Sequence, residues 1–267
     1  MKQITANGLT FMTGLEGQGP RFLFISGTGA DLRRANTALT SPLTKDFQIL
    51  SYDQRGMGQS EKPDRPYTMQ DYAEDAVAIL DAYGWDDALL AGYSFGGMVA
   101  QEIAIRWPER VTRLILMATT AGGEGGSSYP LENLSGLPPE ERARKAMEVS
   151  DLTFTQKWQA DNPEASQMRI TNKIQAQKEF AGEPNAAMGA RRQLAARAGH
   201  NTYDRLNCIT APTLVLSGTH DGQAPMPAQK AMAEAIPNCQ FEIMPGSHGM
   251  LWESNAVFDR ISQFMKR

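Results

Sequence analysis

The stretch Leu89-Leu90-Ala91-Gly92-Tyr93-Ser94-Phe95-Gly96-Gly97 constrains this chain more tightly than any other. An apolar run enters a G-x-S-x-G turn, and Met98-Val99-Ala100-Gln101-Glu102-Ile103-Ala104 continues behind it in helix-forming residues. A turn that takes a strand straight into a helix has no room for side chains two positions either side of its apex, so those positions must be glycine. The apex residue, Ser94, is held in a strained backbone with its hydroxyl lifted clear of the sheet edge. It also stands at a helix N-terminus, where free N–H groups and the positive dipole end favour developing negative charge. This is the nucleophile-elbow arrangement, and it requires a strand on one side and a helix on the other.

The rest of the chain supplies matching pieces. Short apolar or β-branched runs recur at Phe22–Ile25, Phe47–Tyr52, Ala88–Ala91, Leu114–Met117, Thr213–Leu216 and Gln240–Ile243, each of strand length. Thr68 predicts a helix cap with Asp71 three residues on, and Tyr72, Ala76, Ile79, Leu80 and Tyr83 follow at helical spacing until Gly84. Further helices are expected from about Phe95 to Trp107, halted by Pro108, and from about Asn255 to Met265. Alternating strands and helices imply right-handed crossovers, hence an α/β fold with a mostly parallel central sheet flanked by helices. One segment breaks the alternation. From Gly122 to Arg205 only polar helical patterns occur, at Pro138–Ser150, Thr155–Ala160, Glu164–Ala181 and Asn185–Ala198. We therefore read residues 1–121 and 206–267 as the core domain and 122–205 as an inserted helical cap. The cap carries 11 Lys+Arg and 11 Asp+Glu, a tally with no preference for an anionic ligand.

Composition removes several classes of function. The 267 residues have a formal net charge of -4, which leaves no basic excess to offset a phosphate backbone, so nucleic acid is not an expected partner. Cys208 and Cys239 form no CxxC, and three scattered histidines lack zinc-ligand spacing, so neither a disulfide framework nor a metal is expected. The N-terminus lacks an uninterrupted apolar stretch and no window nears 18 apolar residues. A cytoplasmic protein without a membrane partner is the expectation. Nothing in the sequence speaks to oligomeric state.

The scarcity of histidine is itself useful. A serine nucleophile needs a base, and behind an elbow the partners follow in the order Ser, acid, His. His200 falls in the cap and His220 directly follows the strand Leu214-Val215-Leu216. His248 lies after the last strand in Pro245-Gly246-Ser247-His248-Gly249 and is the candidate base. Asp221, in Ser217-Gly218-Thr219-His220-Asp221, is the candidate acid that would orient it, with Glu124 as the rival. Glu253 and Asp259 read as solvated faces of the final helix. Two backbone N–H donors should complete an oxyanion site, one from Phe95 and one from Thr28 in the loop Ser26-Gly27-Thr28-Gly29-Ala30.

Taken together these residues resemble the α/β-hydrolase fold superfamily of serine hydrolases, over nearly the whole chain. Tyr52-Asp53-Gln54-Arg55-Gly56-Met57-Gly58-Gln59-Ser60 looks like its D-x-R-G-x-G-x-S stretch, in which Asp53 and Arg55 would brace a loop rather than react. Pro212 to Asp221 looks like its P-T-L-V-x-x-G-x-x-D strand and acid loop. Gly27-Thr28-Gly29-Ala30-Asp31-Leu32-Arg33 and Gly218-Thr219-His220-Asp221 are similar to 3-oxoadipate enol-lactonases and small carboxylesterases, although Ser26-Gly27 stands where many members carry His-Gly. A serine rather than an aspartate at 94 separates the chain from relatives that attack through a carboxylate. The resemblance implies a serine hydrolase acting on a small-molecule carboxylic ester or lactone, without metal or organic cofactor. C–C bond hydrolysis or cofactor-free perhydrolysis or haloperoxidation on the same triad, and a ligand receptor that has kept the triad, remain open. Trp158, Met147 and Met188, with Phe154 and Met168, are candidates to line the substrate pocket, and Arg191 and Arg192 could meet a substrate carboxylate.

Overall fold

The structure, a computed structural model, describes all 267 residues. The chain opens with two strands that the apolar runs do not reveal, β1 (Lys2–Ala6) and β2 (Leu9–Glu16). They form an antiparallel hairpin about Asn7-Gly8, both at positive φ (46° and 72°), the backbone of a primed two-residue turn. Then follow β3 (Arg21–Ile25), β4 (Gln48–Tyr52), α1 (Met69–Ala82), β5 (Ala88–Tyr93), α2 (Phe95–Arg106) and β6 (Val111–Met117). Four helices come next: α3 (Pro139–Ser150), α4 (Gln156–Asp161), α5 (Pro163–Lys178) and α6 (Ala186–Ala198). The chain closes with β7 (Thr213–Gly218), α7 (Met226–Ala235), β8 (Cys239–Met244), α8 (Met250–Glu253) and α9 (Asn255–Met265). No helix is long and apolar enough to cross a membrane.

The eight strands form one sheet in the order β1-β2-β4-β3-β5-β6-β7-β8, parallel throughout except where β2 meets β1 and β4. Successive residues of the central strands serve opposite faces. Leu114 and Leu116 join a core layer with α1 and α2, while Ile115 and Met117 join the layer under α9. α9 buries Val257, Phe258, Ile261, Phe264 and Met265, one helical stripe. Each such side chain removed from water contributes about 1.5–3 kcal/mol. The helices between β6 and β7 have a small core of their own, formed by Ala143, Met147, Phe154 and Ile170.

The loop after β4 is braced as its residues foretell. Asp53 accepts from the Leu32 N–H at 2.7 Å and the Gln59 N–H at 2.8 Å, and its burial pushes the carboxyl pKa up to about 6. Arg55 is fully buried. It donates twice to Asp75, from Nε at 2.5 Å and Nη2 at 2.7 Å, and once to Asp71 at 2.7 Å. Asp71 also closes the cap box at Thr68, and Asp75 accepts from Asn7 of the hairpin turn at 2.9 Å, so one charge cluster ties hairpin, loop and α1 together. Removing one partner strands a buried charge. Asp75→Ala is therefore expected to cost about 3 kcal/mol, a fall in Tm of roughly 6–12 °C. Thermal melts of the two proteins check this, and an unchanged Tm would show that water reaches Arg55.

Candidate active site

Ser94 caps α2 at the carboxyl end of β5 with φ 55° and ψ −117°, a left-handed conformation that a residue with a side chain enters only under constraint. The constraint is visible on both sides. A Cβ on Gly92 would lie 2.3 Å from the Gly96 carbonyl oxygen, and one on Gly96 would lie 2.0 Å from that of Ile25. The Ser94 N–H donates to Met117 O at 2.8 Å, and its carbonyl accepts from Gly97 N and Met98 N, which start the helix.

Three side chains far apart in sequence meet here. Ser94 Oγ lies 3.0 Å from His248 Nε2, and His248 Nδ1 lies 2.9 Å and 3.0 Å from the two carboxylate oxygens of Asp221. All three are buried. Asp221 Oδ1 also accepts from the Ala224 N–H at 2.8 Å, which holds the carboxylate against the ring. With the Nδ1 proton donated to Asp221, Nε2 presents its lone pair to Ser94, the tautomer that proton abstraction requires. Phe95 opens α2, where first-turn N–H groups have no acceptor within the helix. Thr28 lies in the loop after β3 and lines the same cavity as Ser94. Its N–H donates to nothing in the protein, whereas Gly29 N–H next to it is taken by Gln193 Oε1 at 2.9 Å. Gly27 brings that loop close, for a Cβ there would sit 3.3 Å from the Cβ of Ser94.

Several contacts at the site carry no signal in the sequence pattern. Gln223, two residues after Asp221, places its amide nitrogen 2.7 Å from His248 Nε2, so two donors converge on one lone pair. The Tyr93 hydroxyl donates to the carbonyl of His248, and burial raises its pKa, keeping it a donor. Glu253 departs from its reading as a solvated helix face: it ends α8 and accepts from both the N–H and the hydroxyl of Ser247, bracing the loop that bears His248. The His248 N–H donates to Ser150 O at 2.8 Å, tying that loop to the end of α3.

The remaining candidates lie elsewhere. Glu124 is exposed, and so is His220. Met147 and Phe154 fill the small core under α3 and α5, and Trp158 packs on it 5.4 Å from Phe154, because apolar side chains on short helices bury against each other first. Met168 is exposed, and Met188 receives the Arg192 Nε–H on its sulfur. None of these lines the cavity above Ser94, about 700 Å³ in volume. Arg192 pairs with Asp64 and Arg191 faces solvent. Cys208 and Cys239 are free thiols, and no three His, Cys, Asp or Glu side chains come together in a metal-binding cluster.

A family model for the α/β hydrolase fold matches residues 20–254, and this chain belongs to that family of hydrolases. A 2-hydroxymuconate semialdehyde hydrolase of Pseudomonas putida is 31% identical over 252 residues, covering 91% of this chain and 85% of the relative. A 3-oxoadipate enol-lactonase of Acinetobacter baylyi is 26% identical over 264 residues, covering 97% of this chain and 93% of the relative. The crystal structure of an enol-lactonase from Burkholderia xenovorans shares the fold over 100% of both chains, with a TM-score of 0.77 at 22% identity.

His200 has a different part to play. It is buried beside a separate cavity, neither ring nitrogen has a hydrogen-bond partner, and desolvation pushes its pKa down to about 4. Because the folded value lies below the unfolded one of about 6.5, the unfolded chain takes up the proton first. The associated stability is present above pH ~6.5 and is lost as pH falls toward 4, by roughly 3 kcal/mol in all. Urea midpoints at pH 7 and pH 4.5 should fall further for the native protein than for His200→Asn. Equal falls would mean the ring is charged in the folded state.

Proposed function

We propose that this protein is a serine hydrolase that cleaves a carboxylic ester or lactone through an acyl-enzyme. The observation that carries the proposal is the unbroken chain from Ser94 Oγ to His248 to Asp221, at 3.0 Å and 2.9 Å, on the floor of a cavity of small-molecule size. Ser94 attacks the carbonyl carbon while His248 Nε2 takes its proton. Asp221 holds the ring and stabilises the imidazolium that forms. The tetrahedral oxyanion is met by the N–H groups of Phe95 and Thr28, the second of which has no competing acceptor. His248 returns the proton to the leaving alkoxide, then activates water for the second half-reaction, and the acid and free serine are released.

The similarity to a 2-hydroxymuconate semialdehyde hydrolase favours one second reading, C–C bond hydrolysis by the same three residues. Rates on a simple ester, an enol-lactone and a β-diketone separate the two readings. In either case Ser94→Ala should lower turnover by roughly 10⁴- to 10⁶-fold, and His248→Ala nearly as much. The check on the ester reading is release of p-nitrophenol from p-nitrophenyl acetate, with a phosphonate adduct on Ser94 detected by mass spectrometry. Retention of even a tenth of the activity in Ser94→Ala would overturn the proposal.

A further inference from the structure

The cavity above Ser94 does not inherit the charge balance of the segment that covers it. α3 presents Arg142, Ala146 and Ser150 to it, and α5 presents Arg169, Lys173 and Gln177, each set a single stripe at four-residue spacing. Three cations and two carboxylates line the cavity, and both carboxylates are already engaged. Asp151 accepts from Arg169 at 3.0 Å and from the N–H and hydroxyl of Thr153, at 3.0 Å and 2.6 Å. Glu253 is held by Ser247. Arg142 has only the amide oxygen of Gln177, at 3.3 Å, and no carboxylate. Lys173 has no ion-pair or hydrogen-bond partner at all and is open to solvent; partial desolvation lowers its ammonium pKa, and the nearby guanidinium of Arg34 lowers it further.

Two cations in the cavity wall without a carboxylate partner leave their N–H donors available to an anionic group that enters the cavity. The single ammonium of Lys173 and the free N–H groups of Arg142 match a two-oxygen anion. We infer that Lys173 and Arg142 form an anion subsite in the wall of the cavity, and that the substrate is an ester or lactone bearing a free carboxylate away from its scissile carbonyl. The inference rests on the hydrolase reading for the bond that is cut, but the subsite itself is independent of it. The carboxylate would offset the charge of Lys173 while the ester carbonyl lies at Ser94, so the subsite sets both affinity and register.

Two measurements test this. In Ser94→Ala protein, titration with monomethyl glutarate should show binding that weakens at least tenfold when Lys173→Met is added, while dimethyl glutarate should not show that loss. Because Lys173→Met removes an exposed side chain that has no partner, its Tm should stay within about 2 °C of that of the parent, which excludes misfolding as the cause. In the active enzyme, the ratio of kcat/KM for mono-p-nitrophenyl glutarate over the neutral methyl p-nitrophenyl diester should fall at least tenfold in Lys173→Met, chiefly through KM, and should invert in Lys173→Glu. An unchanged ratio, or equal binding of the monoester with and without Lys173, would overturn the subsite. Binding that depends on Lys173 in a protein that hydrolyses neither ester would uphold the subsite and refute ester hydrolysis instead.

Discussion

The close approach of β3, β5 and the start of α2 is the constraint on which the rest of the site depends. Ile25 lies opposite Gly92 in the parallel ladder, and the carbonyl of Ile25 fills the space that a side chain at position 96 would need. With that space closed, α2 packs hard against the sheet edge and Ser94 has nowhere to go but the left-handed conformation, at a cost of about 1–3 kcal/mol. The hydrogen bond to Met117 on β6 and the two bonds that start α2 hold it there. The same contact brings the loop after β3 against Ser94 through Gly27, so the Ser94 hydroxyl and the Thr28 N–H are set by one packing event.

Parallel strands do the remaining assembly. β5, β7 and β8 end at the same edge of the sheet, which is why Ser94, Asp221 and His248 meet although 154 residues separate the first from the last. The His248 loop needs further restraint, since a loop holds a ring less firmly than a strand does. It receives this from Tyr93, Glu253 and the carbonyl of Ser150. The last contact comes from α3, as does part of the cavity wall, so the elements that enclose the site also steady His248.

Electrostatics separates floor from roof. On the floor both carboxylates are taken up by hydrogen bonds, Asp221 by the ring of His248 and Glu253 by Ser247. In the roof Lys173 and Arg142 are not matched by any carboxylate. In the body the buried cation Arg55 is instead satisfied by Asp75 and Asp71, and it organises a loop without approaching Ser94. The contrast is between charge used to hold a fold and charge left open inside a cavity.

Much of this was legible in the sequence. Six of the eight strands, the capped helix α1, α2, α9 and the helices between β6 and β7 follow from apolar period and end signals, as does the G-x-S-x-G turn. Sequence order singled out Asp221 and His248, and folding brings both to Ser94. These features depend on sterics and hydrogen bonds within a few residues, so local sequence carries them. The β1–β2 hairpin had a local signal in Asn7-Gly8, but its strands are too mixed in polarity to stand out as apolar runs. Tertiary structure alone decided that Met147 and Trp158 pack into a core of their own, that Gln223 reaches the ring of His248, and that an even count of charges leaves Lys173 without a partner. The reason is physical: burial and charge pairing are properties of which surfaces meet across long separations in the chain, and a one-dimensional tally adds charges without knowing which of them share a cavity.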